Sequence, residues 1–178
     1  MLLGTLVDIS RLDAGVLTPD IAPFSVAQLL DVLAEECRQM AGARGLALRY
    51  VASSAWVASD LALLARVIRN LMSNAVRYTP DEGSIHVRWW REDDAACFAV
   101  ADTGPGIEAE HIPRLTERFY RVDPGRKSSS GGTGLGLAIV KHCLEHHEGE
   151  LDIASTPGEG STFTCRFPAQ RALDRRAA

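Results

Sequence analysis

No stretch of this 178-residue chain runs through about 18 apolar residues unbroken, so no membrane-spanning helix is expected. It has no C-x-x-C pair: Cys37, Cys97, Cys143 and Cys165 lie far apart. That argues against a zinc frame or a disulfide scaffold and reads as buried thiols of a reducing compartment. There is no basic excess. The net charge of −4 removes a global field for nucleic acid. Internal repeats and long low-complexity segments are missing. Met1 to Val7 is apolar but lacks a basic flank and ends at Asp8, which argues against a signal peptide. The basic residues are uneven, with Arg118, Arg121, Arg126 and Lys127 crowded around one acid, Asp123.

What is present is an ordinary globular composition, 46% hydrophobic and 24% charged, with enough length for one core. Leu2, Leu3, Leu6, Ile9 and Leu12 repeat at helical spacing, and Gly15 is a stop. Residues 15–23 carry Pro19 and Pro23 and read as a linker. Ser25 is placed to cap a second helix whose stripe is Leu29, Leu30, Leu33, Cys37 and Met40. Residues 46–51 alternate as a strand. Asp60 caps a third helix running to Tyr78, with Arg66, Asn70, Asn74 and Arg77 on one face. Strands are expected at 85–91 and 97–101, then at 150–154 and 161–167. A helix is expected from Gly132 to Leu144, and residues 169–178 form a polar, flexible tail. The expected fold is an α+β two-layer sandwich: a mixed sheet of about five strands covered on one face by three helices.

The residues able to carry chemistry fall in four groups. Gly131-Gly132-Thr133-Gly134-Leu135-Gly136-Leu137 opens an apolar helix. Glycines allow close approach, and a helix N-terminus offers free N–H groups to phosphate. Asn70 and Asn74, at i and i+4 beside Arg77 and Tyr78, are either a solvated face or neutral oxygen ligands for a hard cation such as Mg²⁺. Asp102-Thr103-Gly104-Pro105-Gly106-Ile107 is either a plain turn or a carboxylate placed to accept from an adenine amino group. Glu117-Arg118-Phe119-Tyr120-Arg121 is either an amphipathic turn with Phe119 in the core or the anchor of a lid over 124–131. In the second case Arg121 is aimed at a terminal phosphate.

In this order and spacing, closed by Gly160-Ser161-Thr162-Phe163, the motifs resemble the catalytic ATP-binding domain of bacterial sensor histidine kinases, of the GHKL superfamily and Bergerat fold. The resemblance covers roughly residues 24–168. Asn70 to Ala75 with Tyr78-Thr79-Pro80 is similar to the family's N box, Asp102 to Ile107 to its G1 box, Glu117 to Arg121 to its F box, and Gly132 to Leu137 to its G2 box. The resemblance implies ATP and Mg²⁺, with Asn74 as metal ligand and Asn70 a nearby polar contact. It implies Tyr78 stacked on adenine, Asp102 on its amino group, and Thr162 close to Asp102. Arg77 and Arg121 would bind phosphates, Asn70 and Arg121 being nearest the chemistry. Gly104, Gly106, Ile107, Phe119, Gly132, Thr133, Gly134, Leu135, Gly136 and Leu137 complete the binding set. Segment 85–168 looks most like phosphate-regulon sensor kinases, and segment 1–30 more like hybrid sensor kinases.

The implied reaction passes the γ-phosphoryl group of ATP to a histidine. None of His86, His111, His142, His146 and His147 has the setting the resemblance implies, an acid directly after it and a proline a few positions on; only His147 is followed by an acid, Glu148, and it has no proline nearby and abuts Gly149. His147 therefore reads as structural, and the His142/His146 pair as a solvated helix end. The expectation is a kinase truncated of its acceptor. Residues 1–14 would be a remnant of the dimerisation helix, 15–23 a linker, 24–168 the catalytic domain and 169–178 a tail. Implied partners are the kinase's own dimerisation and histidine-phosphotransfer domain and a response-regulator receiver domain, with no nucleic acid. The implied location is cytoplasmic, the full-length protein being membrane-associated. Hydrolytic relatives carry a glutamate where Asn70 stands, and an amide is no general base. The remaining alternative is a degenerate nucleotide-binding or regulatory module without transfer activity.

Overall fold

A computed structural model describes residues 19–42, 44–51, 56–122 and 132–173. The expectations for 1–14, for the lid over 124–131 and for 174–178 lie outside those residues. The described elements are β1 (Ala22–Ser25), α1 (Val26–Gly42), β2 (Ala47–Tyr50), β3 (Trp56–Ser59), α2 (Leu61–Tyr78), β4 (Ser84–Glu92), β5 (Ala95–Asp102), α3 (Gly136–Glu145), β6 (Glu150–Thr156), β7 (Gly160–Phe167) and β8 (Ala172–Leu173). Short 3₁₀ turns cover Ile112–Arg114 and Ala169–Arg171.

The main sheet has the order β2-β4-β5-β7-β6, with β2 parallel to β4 and the other pairs antiparallel. Alternation along the strands gives it one buried face. Ile85, Val87 and Trp89 of β4, Phe98 and Val100 of β5, and Phe163, Cys165 and Phe167 of β7 join the core with α1, α2 and α3. Trp89 sits 5.8 Å from both the Phe98 and Phe167 rings and welds three strands together. Asp93 and Asp94 both take positive φ, which lets a two-residue turn connect β4 to β5 with the right twist. In α1 the buried stripe ends on Ala41; Met40, expected in it, is exposed.

The sequence reading did not include a second sheet, β1-β3-β8. Ala22 and Pro23, read as linker, pair antiparallel with Ser59 and Ala58. β1 is an edge strand, where proline is tolerated. Residues 169–173, read as the start of the tail, turn back so that Ala172 pairs with Val57.

His147 joins the ends of two helices. Its Nδ1–H donates to Cys143 O at 2.7 Å, and its Nε2 accepts from Asp60 N–H at 3.2 Å and from the Ser59 hydroxyl at 2.6 Å. Asp60 in turn caps α2 by accepting from Leu63 N–H at 3.0 Å. The ring is 1% exposed and burial pushes its pKa down, so the neutral imidazole is the form that fits. The structural reading of His147 agrees with this placement. All four cysteines are buried, and burial raises Cys37 and Cys143 to about 11, which leaves them inert thiols.

Candidate nucleotide site

α2 supplies the first wall. Its apolar residues Leu64, Val67, Ile68, Leu71 and Met72 are buried, which turns Asn70, Asn74 and Arg77 toward α3 and the glycine run. Its C-terminus is pinned from outside. The Arg44 guanidinium donates to the carbonyls of Val76 and, at 2.9 Å, Thr79, and pairs with Asp81. Helix-end carbonyls are unsatisfied and carry partial negative charge, so a cation there is favourable. The Thr79 hydroxyl, fully buried, donates to Ala75 O at 2.6 Å.

The start of α3 is the second wall. Leu135 is buried and anchors the turn, and the helix begins at Gly136, four residues later than expected from Gly132. Close packing explains the glycines. A Cβ on Gly136 would stand 3.1 Å from Asn70 Oδ1 and 3.8 Å from Asn74 Nδ2. One on Gly132 would stand 2.9 Å from Arg77 Nη1 and 3.6 Å from the Tyr78 hydroxyl oxygen. Asn70 Nδ2 donates back to Arg66 O at 2.8 Å, which leaves Oδ1 facing Gly136. Thr133 Oγ1 accepts from Leu135 N–H at 3.4 Å. Leu137 packs against the core.

The third wall is the loop after β5. Asp102 Oδ1 accepts from Gly104 N–H at 2.8 Å. A Cβ on Gly104 would lie 2.5 Å from that oxygen and 3.3 Å from Tyr78 O, so only glycine fits between them. Burial raises the Asp102 carboxyl above its ordinary range, opposed by the Gly104 and Ser161 N–H groups. Gly106 has φ +70° and packs directly on the β6–β7 hairpin, where a Cβ would meet Thr156 O at 2.1 Å. Ile107 packs on the core, and its N–H donates to Ser155 Oγ at 2.8 Å.

Two expected residues stand differently. Thr162 pairs with Ala101 in the β5–β7 register, so it lies on the sheet face opposite to Asp102. Ser161 is the residue across from Asp102, and period-two alternation along β7 was the signal that separates the two. Phe119 is 61% exposed, so its ring is no core anchor. Its backbone is the anchor: at φ +64° its N–H donates to Gly134 O at 2.8 Å, and Gly134, at φ +69°, is pressed against it. Tyr120 holds the same turn through His111 Nδ1 at 2.7 Å, with Arg114 4.2 Å over its ring. Arg121 follows, half-buried, just before residues 123–131, and no described contact joins it to the glycine run. Arg44, Ser155 and Ser161 are the participants that motif reading missed. A separate groove of about 530 Å³ beside Ile112, Leu144 and Ile153 includes none of these residues.

The three walls meet through Tyr78, which touches Gly104 with its backbone and approaches Gly132 with its hydroxyl; its side chain is 53% exposed. A carboxylate acceptor, an open aromatic, bare backbone at a helix start, amide oxygens and Arg77 suit a purine nucleotide with its phosphates. These groups stand together on a two-layer α+β fold. Residues 59–171 match the family model described as histidine kinase-, DNA gyrase B-, and HSP90-like ATPase, and the chain belongs to that family.

Among curated relatives, the phosphate regulon sensor protein PhoR of Pseudomonas aeruginosa is 46% identical over 99% of this chain and 40% of its own length. The signal transduction histidine-protein kinase BaeS of Escherichia coli is 34% identical over 98% of this chain and 38% of its own. The first match runs through residues 1–30 as well as 85–168, so the phosphate-regulon resemblance is not confined to the later segment. Among solved structures, full-length ShkA in complex with AMPPNP superposes with a TM-score of 0.85 at 26% identity, over 98% of this chain and 36% of that one. The mycobacterial sensor histidine kinase MprB gives 0.73 at 26% identity, over 85% of this chain and 99% of that one. The chain spans about 40% of the length of PhoR and less of several other relatives. Among the described residues no helix is long and apolar enough to cross a membrane.

Proposed function

We propose that this chain is the ATP-binding catalytic part of a two-component sensor histidine kinase, which passes the γ-phosphoryl group to a histidine on the kinase's dimerisation domain. The observation that carries this reading is the apposition of α2 and the start of α3, with Asn70 Oδ1 3.1 Å from the Cβ position of Gly136 and Arg77 beside Gly132. Asp102 accepts the adenine amino group and rejects an oxo-purine, Tyr78 covers the base, and Arg77 with the α3 N-terminus holds the phosphates. Asn74, with Asn70 next to it, is the protein's site for Mg²⁺, which when bound neutralises phosphate charge. Arg121 serves the terminal phosphate. Positioning and charge stabilisation carry most of the catalysis in phosphoryl transfer. The amide at Asn70 supplies no base for water, which favours transfer over hydrolysis. The partners are the dimerisation and histidine-phosphotransfer domain and a response-regulator receiver domain. The site works on the cytoplasmic side, the whole protein being membrane-associated.

Titration with ATP and Mg²⁺ tests the site. Asp102→Asn is expected to weaken binding about tenfold or more, as for a charged hydrogen bond. Asn74→Asp is expected to change the Mg²⁺ dependence while leaving binding of the base in place. Parent-like titrations for both variants would overturn the assignment.

A further inference from the structure

The rings of His142 and His146 meet at the C-terminal end of α3. Their Nε2 atoms lie 3.3 Å apart, and the rings stand nearly perpendicular, at 86°, with centroids 4.9 Å apart. Expected as a solvated helix end, the pair is part-buried on both members. The backbone fixes the spacing. His146 is the C-cap of α3 in αR conformation, and its N–H donates to His142 O, so the i, i+4 relation holds through the last turn.

Two imidazole nitrogens facing each other at this distance can act as a chelate. With metal–nitrogen bonds of about 2.0–2.1 Å, a 3.3 Å separation corresponds to an N–metal–N angle of about 104–111°, around the tetrahedral value. In the metal-free protein the proton between the rings can sit on either Nε2. A cation in its place takes both Nε2 lone pairs, and each ring keeps its proton on Nδ1. The surroundings suit that state. Glu145 Oε2 is 3.6 Å from His142 Nδ1, on the side where a carboxylate orients a metal-bound histidine. The last carbonyls of a helix carry partial negative charge, which favours a cation there. Glu148 and Glu150 follow in the chain, against the single Lys141 before the pair.

This place is separate from the Mg²⁺ position proposed at Asn74. His142 and His146 come six and ten residues after Gly136, about 9 and 15 Å along the helix. Imidazole suits transition metals, whereas Mg²⁺ takes oxygen ligands. Among the described residues no group of three or more His, Cys, Asp or Glu side chains is placed to hold a metal. The pair therefore supplies two ligands, and water or a donor from another molecule completes the shell.

We propose that His142 and His146 form a two-histidine site for Zn²⁺ or another imidazole-preferring divalent metal. The metal clips the last turn of α3, beside the His147 ring that ties this helix to Ser59 and Asp60. Binding to the folded form alone stabilises the domain, because the unfolded chain does not hold the two rings together.

The test titrates Zn²⁺ into the nucleotide-free chain, by calorimetry and by melting curves with and without EDTA. The parent is expected to take up Zn²⁺ and to melt higher with it, and excess Mg²⁺ is expected not to displace it. His142→Ala and His146→Ala are each expected to weaken Zn²⁺ about tenfold or more and to lose the thermal shift. His86→Ala, which removes an exposed histidine of β4, is expected to hold the parent affinity within about twofold. The parent alone gives a reading independent of any variant's folding: Zn²⁺ should shift the ring ¹H–¹⁵N signals of His142 and His146 and leave those of His86 in place. A parent that takes up no Zn²⁺, both alanine variants titrating as the parent does, or ring shifts confined to other histidines would each overturn the proposal.

Discussion

Two ionisable side chains with shifted pKa values set opposite pH dependences. His147 is buried neutral, with Nε2 accepting from Ser59 and Asp60, and a second ring proton would be set against the Asp60 N–H. Burial is the main cause of its lowered pKa; Arg171 and His146 act the same way, while the Cys143 carbonyl and Asp60 oppose it. The unfolded chain takes up this proton near 6.5 and the folded one only at lower pH. The stabilisation is therefore complete above 6.5 and is lost as pH falls through the folded value. His147→Leu strands the Ser59 hydroxyl and the Asp60 N–H; denaturant melts at pH 7.5 should show a loss of about 2–4 kcal/mol, with the acid-side slope between pH 6.5 and 5 reduced. Asp102 runs the other way. Its raised pKa gives stability that is full below 3.8 and is lost as pH rises through the folded value. Asp102→Asn should thus melt at or above the parent at pH 7 while binding ATP worse, a trade of stability for function.

At the scale of elements, period and capping made most of the fold legible. The alternation of β4 and β7 and the Asp60 cap of α2 led directly to the observed strands and helix. What stayed hidden depends on distant partners. β1 and β3 are four residues each and β8 is two, too short for alternation to register, and Pro23 masked β1 as linker. The late start of α3 is set by Gly134 packing on Phe119, a contact across 15 residues that local propensity does not report. Within the site, the glycines and asparagines were legible as motif positions. Arg44 was not, because nothing in its own neighbourhood shows that it reaches the end of α2. Arg44→Ala removes two donors from the Val76 and Thr79 carbonyls and is expected to destabilise the domain by about 1–3 kcal/mol. Arg44→Lys should recover only part of that, since an ammonium lacks the planar fork. Thermal melts of the two variants check this, and equal stability of Arg44→Ala and the parent would refute the pinning role.

For the whole molecule, one sheet face carries three helices, and the walls of the site come from separate elements. Asn70 and Asn74 come from α2, the bare backbone from the turn into α3, and Asp102 from the end of β5. None of these segments could form the site alone, and the buried core they share holds them in register. His147 is spent on holding the helix ends together, and in the proposed reaction the phosphoryl acceptor is a histidine on another domain. The proposed reaction is therefore a transfer between domains. Mixing this chain with Mg²⁺, γ-labelled ATP and a separate dimerisation domain bearing its histidine measures it directly. Acid-labile label is expected on that domain, reduced with Asp102→Asn and absent from this chain. Tight ATP binding with no label on the acceptor domain would contradict it.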